Sequence, residues 1–584
     1  MFKYMFYLVL SCVIISIGDV MSYFLKKSLT KKGIYYQVYE GVHNPEKGYT
    51  TQKSIKVIGY HDDLIKQGII DPLSYAKELV NNMEKERKDN QSKKIDNVSP
   101  IKNLGYLLPL SILKKLDIEN DFSYLTFGQK MKYSLYDVFN SLIAARIVSP
   151  VSKYKSYEDV IPNLIEEYHL SYDQILDGLS ILGSRYENII EILNYHYKKK
   201  YCRKTNNLYF DCTNYYFEID KPFEDKQKGP SKENRKEPII GMALLLDEEQ
   251  IPLSMHMYPG NQSEKPEIRK IINKMKESNN VKGKTIQVAD KGLNCSKNIY
   301  EALVSQDGYI YSHSIKKLSE KEKQWVDIQN QYLETKENGE VIFKVKSCID
   351  VFDYSFIDEN NQKISFKTKQ KRIVYWSKKL EDKHRYEITK EIEKLNILSL
   401  SGVKRKELGD LAKYIKLASI DENGVIDSSN INLLLNQENI EEDLKYCGYN
   451  MLITSEISMP DQEVYKVYKN LWRIEESFRI LKTNLVARPV YVSTKNNIYG
   501  HFLICYTALF LMRILELKIL KDKVSCSNLF DFIRRFNVVN VNDYYINLLS
   551  RKEKDNLIFD LIKLPIDNYY LKPNILNSFL NISL

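Results

Sequence analysis

Three acidic residues, far apart in the chain, have settings that favour metal-assisted chemistry. Asp211 lies inside the apolar run Leu208-Tyr209-Phe210-Asp211-Cys212-Thr213, Asp290 directly follows Thr285-Ile286-Gln287-Val288-Ala289, and Glu475 sits in a long helical stretch. Carboxylates are hard oxygen ligands, and magnesium takes such ligands in near-octahedral geometry together with phosphate oxygens and water. Two such ions about 3.5–4 Å apart can activate a water or a 3′-hydroxyl and stabilise the leaving oxygen of an in-line displacement at phosphorus. Taken singly, each acid has a structural alternative. Asp211 can be a paired buried carboxylate, Asp290 a helix cap, and Glu475 is one of many helical glutamates.

The residues around Glu475 narrow those alternatives. In Tyr468-Lys469-Asn470-Leu471-Trp472-Arg473-Ile474-Glu475-Glu476-Ser477-Phe478-Arg479-Ile480-Leu481-Lys482, part of a helix predicted from about 461 to 485, Tyr468, Glu475 and Lys482 are seven residues apart. At helical spacing they project from nearly one face, beside an apolar stripe of Ile474, Phe478, Leu481 and Leu485. A carboxylate, a lysine and an aromatic on one exposed line suit a metal ligand flanked by a phosphate contact and a stacking or hydrogen-bonding group for DNA.

The surrounding pattern says what must position these groups. A strand through Asp211 is followed by strands at Ile239 to Leu246 and Ile251 to Tyr258, a helix from Pro266 to Lys276, a strand ending at Asp290 and another at Tyr309 to Ser312. Three strands, a helix, a strand, a helix and a strand is the order of a ribonuclease-H-like sheet, so the expected fold class is α/β. Between that sheet and the apolar strand Tyr449 to Thr454 lies a charged segment with strand-like pieces at Val341 to Val345 and Ile364 to Lys367, an insertion inside the core. Before the sheet, residues 62 to about 200 are mostly helical, preceded by a basic hairpin over 33–60 and interrupted by an Asn- and Ser-rich linker at 89–100. Phe502 to Met512, interrupted by Arg513, predicts a buried helix, and the tail beyond Ile519 a helical one.

Bulk properties restrict the partner. The 584 residues predict three or four domains of ordinary globular composition, with 43% hydrophobic and 28% charged residues. The net charge of +10 is concentrated. Residues 21–60 carry seven lysines against Glu40 and Glu46, the run from Lys198 to Lys204 contains no acid, and Lys363 to Arg385 holds nine basic residues against Glu381 and Asp382. Three such runs point to a polyanion such as DNA, although each alone can be a solvated face. Eight scattered cysteines without a C-x-x-C pair argue against a zinc site or a disulfide framework and for a reducing compartment. Lys3 and the apolar stretch Met5 to Ile17 imitate a signal peptide, but the run is too short to span a membrane. Translation is therefore expected to start at Met21, with 1–20 an upstream extension; an exported or anchored protein is the rival reading.

These residues resemble the DDE-type bacterial insertion-sequence transposases, whose third acid lies in a Tyr-x2-Arg-x3-Glu-x6-Lys (YREK) signature. Tyr468, Glu475 and Lys482 match its spacing, while Leu471 stands where the family has arginine. The resemblance takes in Tyr209-Phe210-Asp211-Cys212-Thr213, Tyr258-Pro259-Gly260-Asn261-Gln262-Ser263-Glu264, Ala289-Asp290-Lys291-Gly292 and Arg488-Pro489-Val490-Tyr491. It implies a catalytic core over 201–315 and 448–520, a β-rich insertion over 316–447, a DNA-binding region over 21–200 and a tail over 521–584. It further implies that Asp211, Asp290 and Glu475 hold two Mg²⁺ ions, with Mn²⁺ as a substitute, and that Tyr468, Trp472, Arg473, Arg479, Lys482 and Arg488 contact DNA. Trp376 is either a further stacking group or core, and Pro259 to Ser263 either lines the substrate groove or joins strand to helix. The partners implied are terminal inverted repeats and target DNA, bound by a homodimer in a paired-end complex, in the cytoplasm at the nucleoid and without a membrane. Leu471 leaves a second reading, a DNA-binding relic that no longer cuts.

Overall fold

In the computed structural model, which describes residues 20–44, 49–91, 99–128, 130–230, 236–262, 264–278, 281, 283–358, 360–397, 409–419, 431–541 and 544–580, the chain divides into two compact units at Val98 and Ser99. The first unit is an antiparallel sheet of β1 (Val20–Thr30), β2 (Gly33–Asn44) and β3 (Tyr49–Tyr60), followed by α1 (His61–Lys66) and α2 (Pro72–Gln91). The sequence predicts only a two-stranded hairpin here. β1 escapes the pattern because Lys26 and Lys27 break its apolar alternation, which an edge strand tolerates. Lys31 and Lys32 make a two-residue turn that closes on Gly33 at φ 111°. Leu25, Ile34 and Tyr36 pack with Leu64, Leu73 and Ala76 of the helices. Elsewhere on the sheet Lys26 stands 4.4 Å from the ring of Tyr39, beside Phe24. The linker expected at 89–100 begins inside α2; its residues 92–98, like residues 1–19, lie outside the described residues.

The second unit opens with β4 (Ile101–Asn103) and the helices α3 (Leu107–Leu116), α4 (Leu135–Val148), α5 (Tyr172–Ser184) and α6 (Tyr186–Tyr201). Ser171 and Gln174 form a reciprocal capping box that starts α5. The expected sheet follows: β5 (Asn207–Tyr216), β6 (Ile239–Leu246), β7 (Pro252–Pro259), β8 (Ile286–Ala289) and β9 (Gly308–His313), in spatial order β7-β6-β5-β8-β9. β6 is antiparallel to both neighbours, whereas β8 is parallel to β5 and β9 to β8. The parallel pairs need crossovers, and α7 (Glu264–Ser278) and α8 (Ser296–Val304) supply them. Every residue of β6 is buried, hence its unbroken apolar run. β5 alternates between two cores: Tyr209 and Tyr215 enter the larger, Leu208, Phe210 and Cys212 the smaller.

Residues 316–447 do not form a separate β layer. They contribute β10 (Leu333–Glu337), β11 (Glu340–Ile357), β12 (Lys363–Ser377), α9 (Lys378–Ile397), β13 (Ile415–Ser419), β14 (Ile431–Leu435) and α10 (Gln437–Lys445) before β15 (Tyr449–Thr454). β15 pairs with β9 and with Lys371 to Trp376 of β12, so the central sheet extends as β9-β15-β12-β11-β10 to nine described strands. α9, α10 and the β13–β14 hairpin build a small core of their own around Ile388, Leu395, Tyr414 and Ile440.

The single helix predicted from 461 to 485 is two, α11 (Asp461–Lys469) and α12 (Trp472–Thr483). Between them the bonds tighten to three-residue spacing: Leu471 N–H to Tyr468 O at 2.9 Å, Arg473 to Asn470 at 3.1 Å and Ile474 to Leu471 at 3.1 Å. Such tightening winds the chain further per residue than an α-helix, so Tyr468, Glu475 and Lys482 do not sit on one regular helix. The apolar run ending at Met512 forms α13 (Lys495–Ile514), buried from Ile498 to Ile514. No helix among the described residues is long and apolar enough to cross a membrane.

α13 crosses α5 backbone to backbone. A Cβ on Gly183 would fall 1.7 Å from the Asn496 carbonyl oxygen, and one on Gly500 2.2 Å from that of Leu179. Gly183→Ala or Gly500→Ala is therefore expected to cost about 2–3 kcal/mol by forcing the helices apart. Urea unfolding of the variant checks this, and an unchanged midpoint would contradict the close crossing.

The tail adds short strands to its expected helices, which run over Cys526–Arg535, Asn556–Ile562 and Ile575–Leu580. After α14 (Cys526–Arg535), β16 (Asn537–Val541), β17 (Tyr544–Asn547) and β18 (Tyr570–Leu571) join β4 in a four-stranded sheet. These strands are short and held partly by amides, with Asn103 donating to Ile533 O and Asn547 to Ile566 O, both at 2.9 Å. They carry too little apolar alternation for a period of two to show.

Candidate active site

The parallel pairing of β5 with β8 sets Tyr209 opposite Val288. Two residues further along each strand stand Asp211 and Asp290, matching positions on neighbouring strands whose backbones run about 5 Å apart. By alternation both belong to the sheet face that carries Tyr209 and Val288, the face of the larger core. α12 packs on that face through Ile474, Phe478 and Leu481. Asp211 Oδ1 accepts from the Cys212 N–H at 2.7 Å, and Asp290 Oδ1 accepts from the Gly292 N–H. Asp290 is thus a turn residue and not a helix cap, since the next helix begins at Ser296.

Tyr468 stands between the second and third acids. Burial raises its hydroxyl pKa, the charges of Asp290 and Glu475 both raise it further, and the Ser312 and Asn450 side chains hydrogen-bond to it. Glu475 is exposed. Lys482 lies on the same helix with its ammonium 5.8 Å from the ring of Tyr215, four residues beyond Asp211 on β5. Among the described residues no three His, Cys, Asp or Glu side chains stand close enough together to hold a metal ion. The donors are all carboxylates, which fits a hard divalent cation. The β5–β8 register sets Asp211 and Asp290 at matching positions, each with one oxygen turned onto a neighbouring N–H, and the three carboxylates do not form one cluster.

The remaining candidate contacts divide by environment. Trp472 is 45% exposed and the Arg479 side chain 66% exposed. Arg473 lies over Trp472, 4.1 Å from its ring, and pairs with Glu476 at 3.0 Å and with Asp522, so its guanidinium is committed within the protein. Arg488 stacks on Tyr216 at 3.5 Å. Trp376 is buried, beside the ammonium of Lys344, which makes it core. The Pro259 turn closes on itself through Gln262 N–H to Pro259 O, and Gly260 N–H bonds Asp225 O, both within the fold; Ser263 lies outside the described residues. Leu471 is also core, 6% exposed.

Sequence reasoning missed the ion cluster that anchors α12. Arg513, fully buried on α13, pairs with Glu516 at 2.6 Å and Glu476 at 2.9 Å, and donates to Ser477 Oγ at 3.0 Å and Arg473 O at 3.1 Å. The one signal available was an arginine interrupting an apolar helix. Two of the three basic runs are also partly neutralised. Arg203 is buried against Asp247 at 3.3 Å, Lys371 pairs with Asp461 at 3.1 Å, and Arg372 pairs with Glu322.

His313, at the end of β9, lines a cavity of about 410 Å³ together with Asp290, Lys291, Asn450 and Tyr468. Burial first, then Arg372 and Lys317, push its pKa down to about 4. The ring therefore stays neutral in the folded chain while the unfolded chain protonates near pH 6.5. Stability from this group is complete above pH 6.5 and is lost as pH falls toward 4, an effect on the order of 3 kcal/mol. His501, held well below its usual range by burial and by Lys153 and Arg146, acts in the same direction. Urea midpoints are expected to fall between pH 6.5 and 4, and less so in His313→Asn. An equally steep fall in that variant would remove His313 from the effect.

Comparison with known proteins identifies the family. A family model described as "Transposase DDE domain" matches residues 212–511, just over half of the chain. The match begins one residue after Asp211 and takes in Asp290, Glu475 and Lys482. No curated protein matches. Among solved structures, the cryo-EM structure of a piggyBac transposase synaptic complex with hairpin DNA is similar over 81% of this chain and 82% of that chain, at 9% identity and a TM-score of 0.33, too slight a likeness to carry an argument.

Proposed function

The chain belongs to the transposase DDE-domain family, and from that premise we propose that it is an insertion-sequence transposase which nicks DNA at the element's ends and joins the freed 3′ ends to target DNA. Transposases of this family act with divalent metal ions. Asp211, Asp290 and Glu475 are the residues that would hold Mg²⁺, or Mn²⁺ in its place, as two ions that supply activation of the attacking oxygen and charge stabilisation at the leaving one. The observation that supports this reading is the parallel β5–β8 register, which sets two distant aspartates at matching positions on the sheet face against which α12, the helix of Glu475, packs its apolar residues.

A ribonuclease-H-like core is the fold this reading requires. The spatial order of β5 to β9, three antiparallel strands followed by two parallel ones, supports it. Lys482 and Tyr468 position the cut strand, one as a phosphate counter-charge and the other as a hydroxyl beside the acids. Trp472 and Arg479 are exposed enough to meet DNA, although Arg479 also pairs with Glu476 at 3.3 Å, whereas the less exposed Arg473 is held by both Glu476 and Asp522. The lysine-bearing sheet of the first unit is the element we assign to terminal-repeat recognition, and two protomers pair the ends. Such a protein works in the cytoplasm at the nucleoid. Leu471 belongs to the core and alters no carboxylate, which favours an active enzyme over a relic.

The test is cleavage of duplex DNA carrying the inverted repeats that flank the coding region. Cutting at the repeat ends in Mg²⁺ and none in EDTA is expected. Binding of the repeats without cutting in either Mg²⁺ or Mn²⁺ would establish the relic instead.

A further inference from the structure

Beyond the acids, the molecule buries a second group of charges, and this one has no counter-ion. Arg146, on α4, is 4% exposed, and its guanidinium donates only to neutral carbonyls, Val151 O at 3.1 Å and Leu485 O at 3.5 Å. Among the described residues no carboxylate lies within ion-pair distance of it. Behind it Lys153, also 4% exposed, donates to His501 Nδ1 at 3.1 Å, and His501 Nε2 donates to Ala487 O at 2.9 Å. Burial, and then the charge of Arg146, hold Lys153 well below the usual lysine range. The lysine escapes its desolvation cost by giving up a proton. Arginine cannot do so. A permanently charged, buried side chain is ordinarily paired, because an uncompensated one is expensive to keep out of water.

The missing partner has a way in. Arg146 lines a cavity of about 340 Å³, whose rim also presents Ser152, Lys155 and Tyr491. No acid lines it. Lys155 and Tyr491 are exposed, so the opening offers an ammonium and hydroxyls above a buried guanidinium, a donor set for a phosphate group. The far wall is the segment that follows α12, through Val486, Pro489 and Tyr491.

We propose that this cavity is a phosphate-binding subsite that grips the backbone of bound DNA at a distance from the scissile bond, with Arg146 as its buried counter-charge and Lys155, Ser152 and Tyr491 as rim donors. The proposal rests on the DNA-cutting reading above. It accounts for an arginine that the fold itself leaves unpaired, and it gives the 484–491 segment a role in holding DNA besides closing the core.

The test uses the full chain and a labelled 30-base-pair duplex lacking the element ends, with anisotropy titrations over a range of salt. Arg146→Met and the rim variant Ser152→Ala/Lys155→Gln are each expected to bind about tenfold more weakly, with a log–log salt slope shallower by about one for each cation removed. A parallel arm follows the melting temperature in inorganic phosphate against chloride at equal ionic strength. Both midpoints rise with the general salting-out effect of phosphate, and the wild-type midpoint should rise by clearly more than that of Arg146→Met. Wild-type affinity and slope in the rim variant overturn the proposal, even if Arg146→Met fails to fold. Phosphate protection lost in Arg146→Met while duplex affinity stays unchanged also overturns it, by showing an anion site that DNA does not use. A wild-type chain that binds no duplex at all contradicts the DNA reading itself, and the phosphate arm still decides whether the cavity takes an anion.

Discussion

Asp211→Asn is expected to lower Mg²⁺-dependent cleavage of repeat-end DNA by about a thousandfold or more, roughly 4 kcal/mol of transition-state stabilisation, while leaving DNA binding intact. The change is nearly isosteric. The amide oxygen can still accept from the Cys212 N–H that now bonds Oδ1, so β5 keeps its local geometry and only the charge is lost. Asp290→Asn retains the contact to Gly292 in the same way, and Glu475→Gln alters an exposed side chain with no packing role. A second consequence needs no catalysis. Like charges on adjacent strands repel, so in EDTA Asp211→Asn should melt at or above the wild-type temperature. Cleavage rates and gel shifts on the same preparations check the first expectation. A variant that cuts at the parental rate loses its place in the site.

Arg513→Met should cost about 3 kcal/mol of stability, because it leaves the buried carboxylate of Glu516 with no cation nearer than Arg473 at 4.0 Å and takes one of its cations from Glu476, which keeps Arg473. Methionine fills most of the volume, so the loss is electrostatic more than steric. Glu516 also accepts from the Cys526 N–H at 2.9 Å, and Ser477 and Arg473 of α12 are bonded to the same guanidinium. The cluster therefore ties the helix bearing Glu475 to α13 and to the start of α14. Urea unfolding measures the effect. Adding Glu516→Gln and Glu476→Gln should return part of the loss, whereas a triple variant no more stable than Arg513→Met would mean that packing, not charge, dominates there.

The parts of this architecture legible in the sequence are those where local pattern and tertiary role coincide. β5, β6, β8 and β9 are short apolar runs bounded by turn residues, and they are buried on both faces as such runs demand. The α13 run was legible for the same reason. Where tertiary context overrides pattern, the reading failed. The three-residue turn at Asn470 and Leu471 leaves the apolar stripe of α12 intact and so is invisible as a break, yet it divides the expected helix into α11 and α12. Charge runs misled in a similar way. Lys363 to Arg385 is one basic stretch in sequence, but β12 sends alternate residues to opposite faces, and Lys371 and Arg372 meet acids from Asp461 and Glu322 that no local window contains. The pairing of Arg203 with Asp247, and of Arg513 with two glutamates, likewise depends on elements distant in the chain.

The most direct measurement is manganese anomalous scattering from crystals of the chain bound to repeat-end DNA. A manganese peak within coordination distance of the Asp211 and Asp290 carboxylates, with Glu475 drawn into the same shell and the peak lost in Asp211→Asn, is the expected result. Active crystals whose only manganese lies elsewhere, with the three carboxylates still apart, would contradict it.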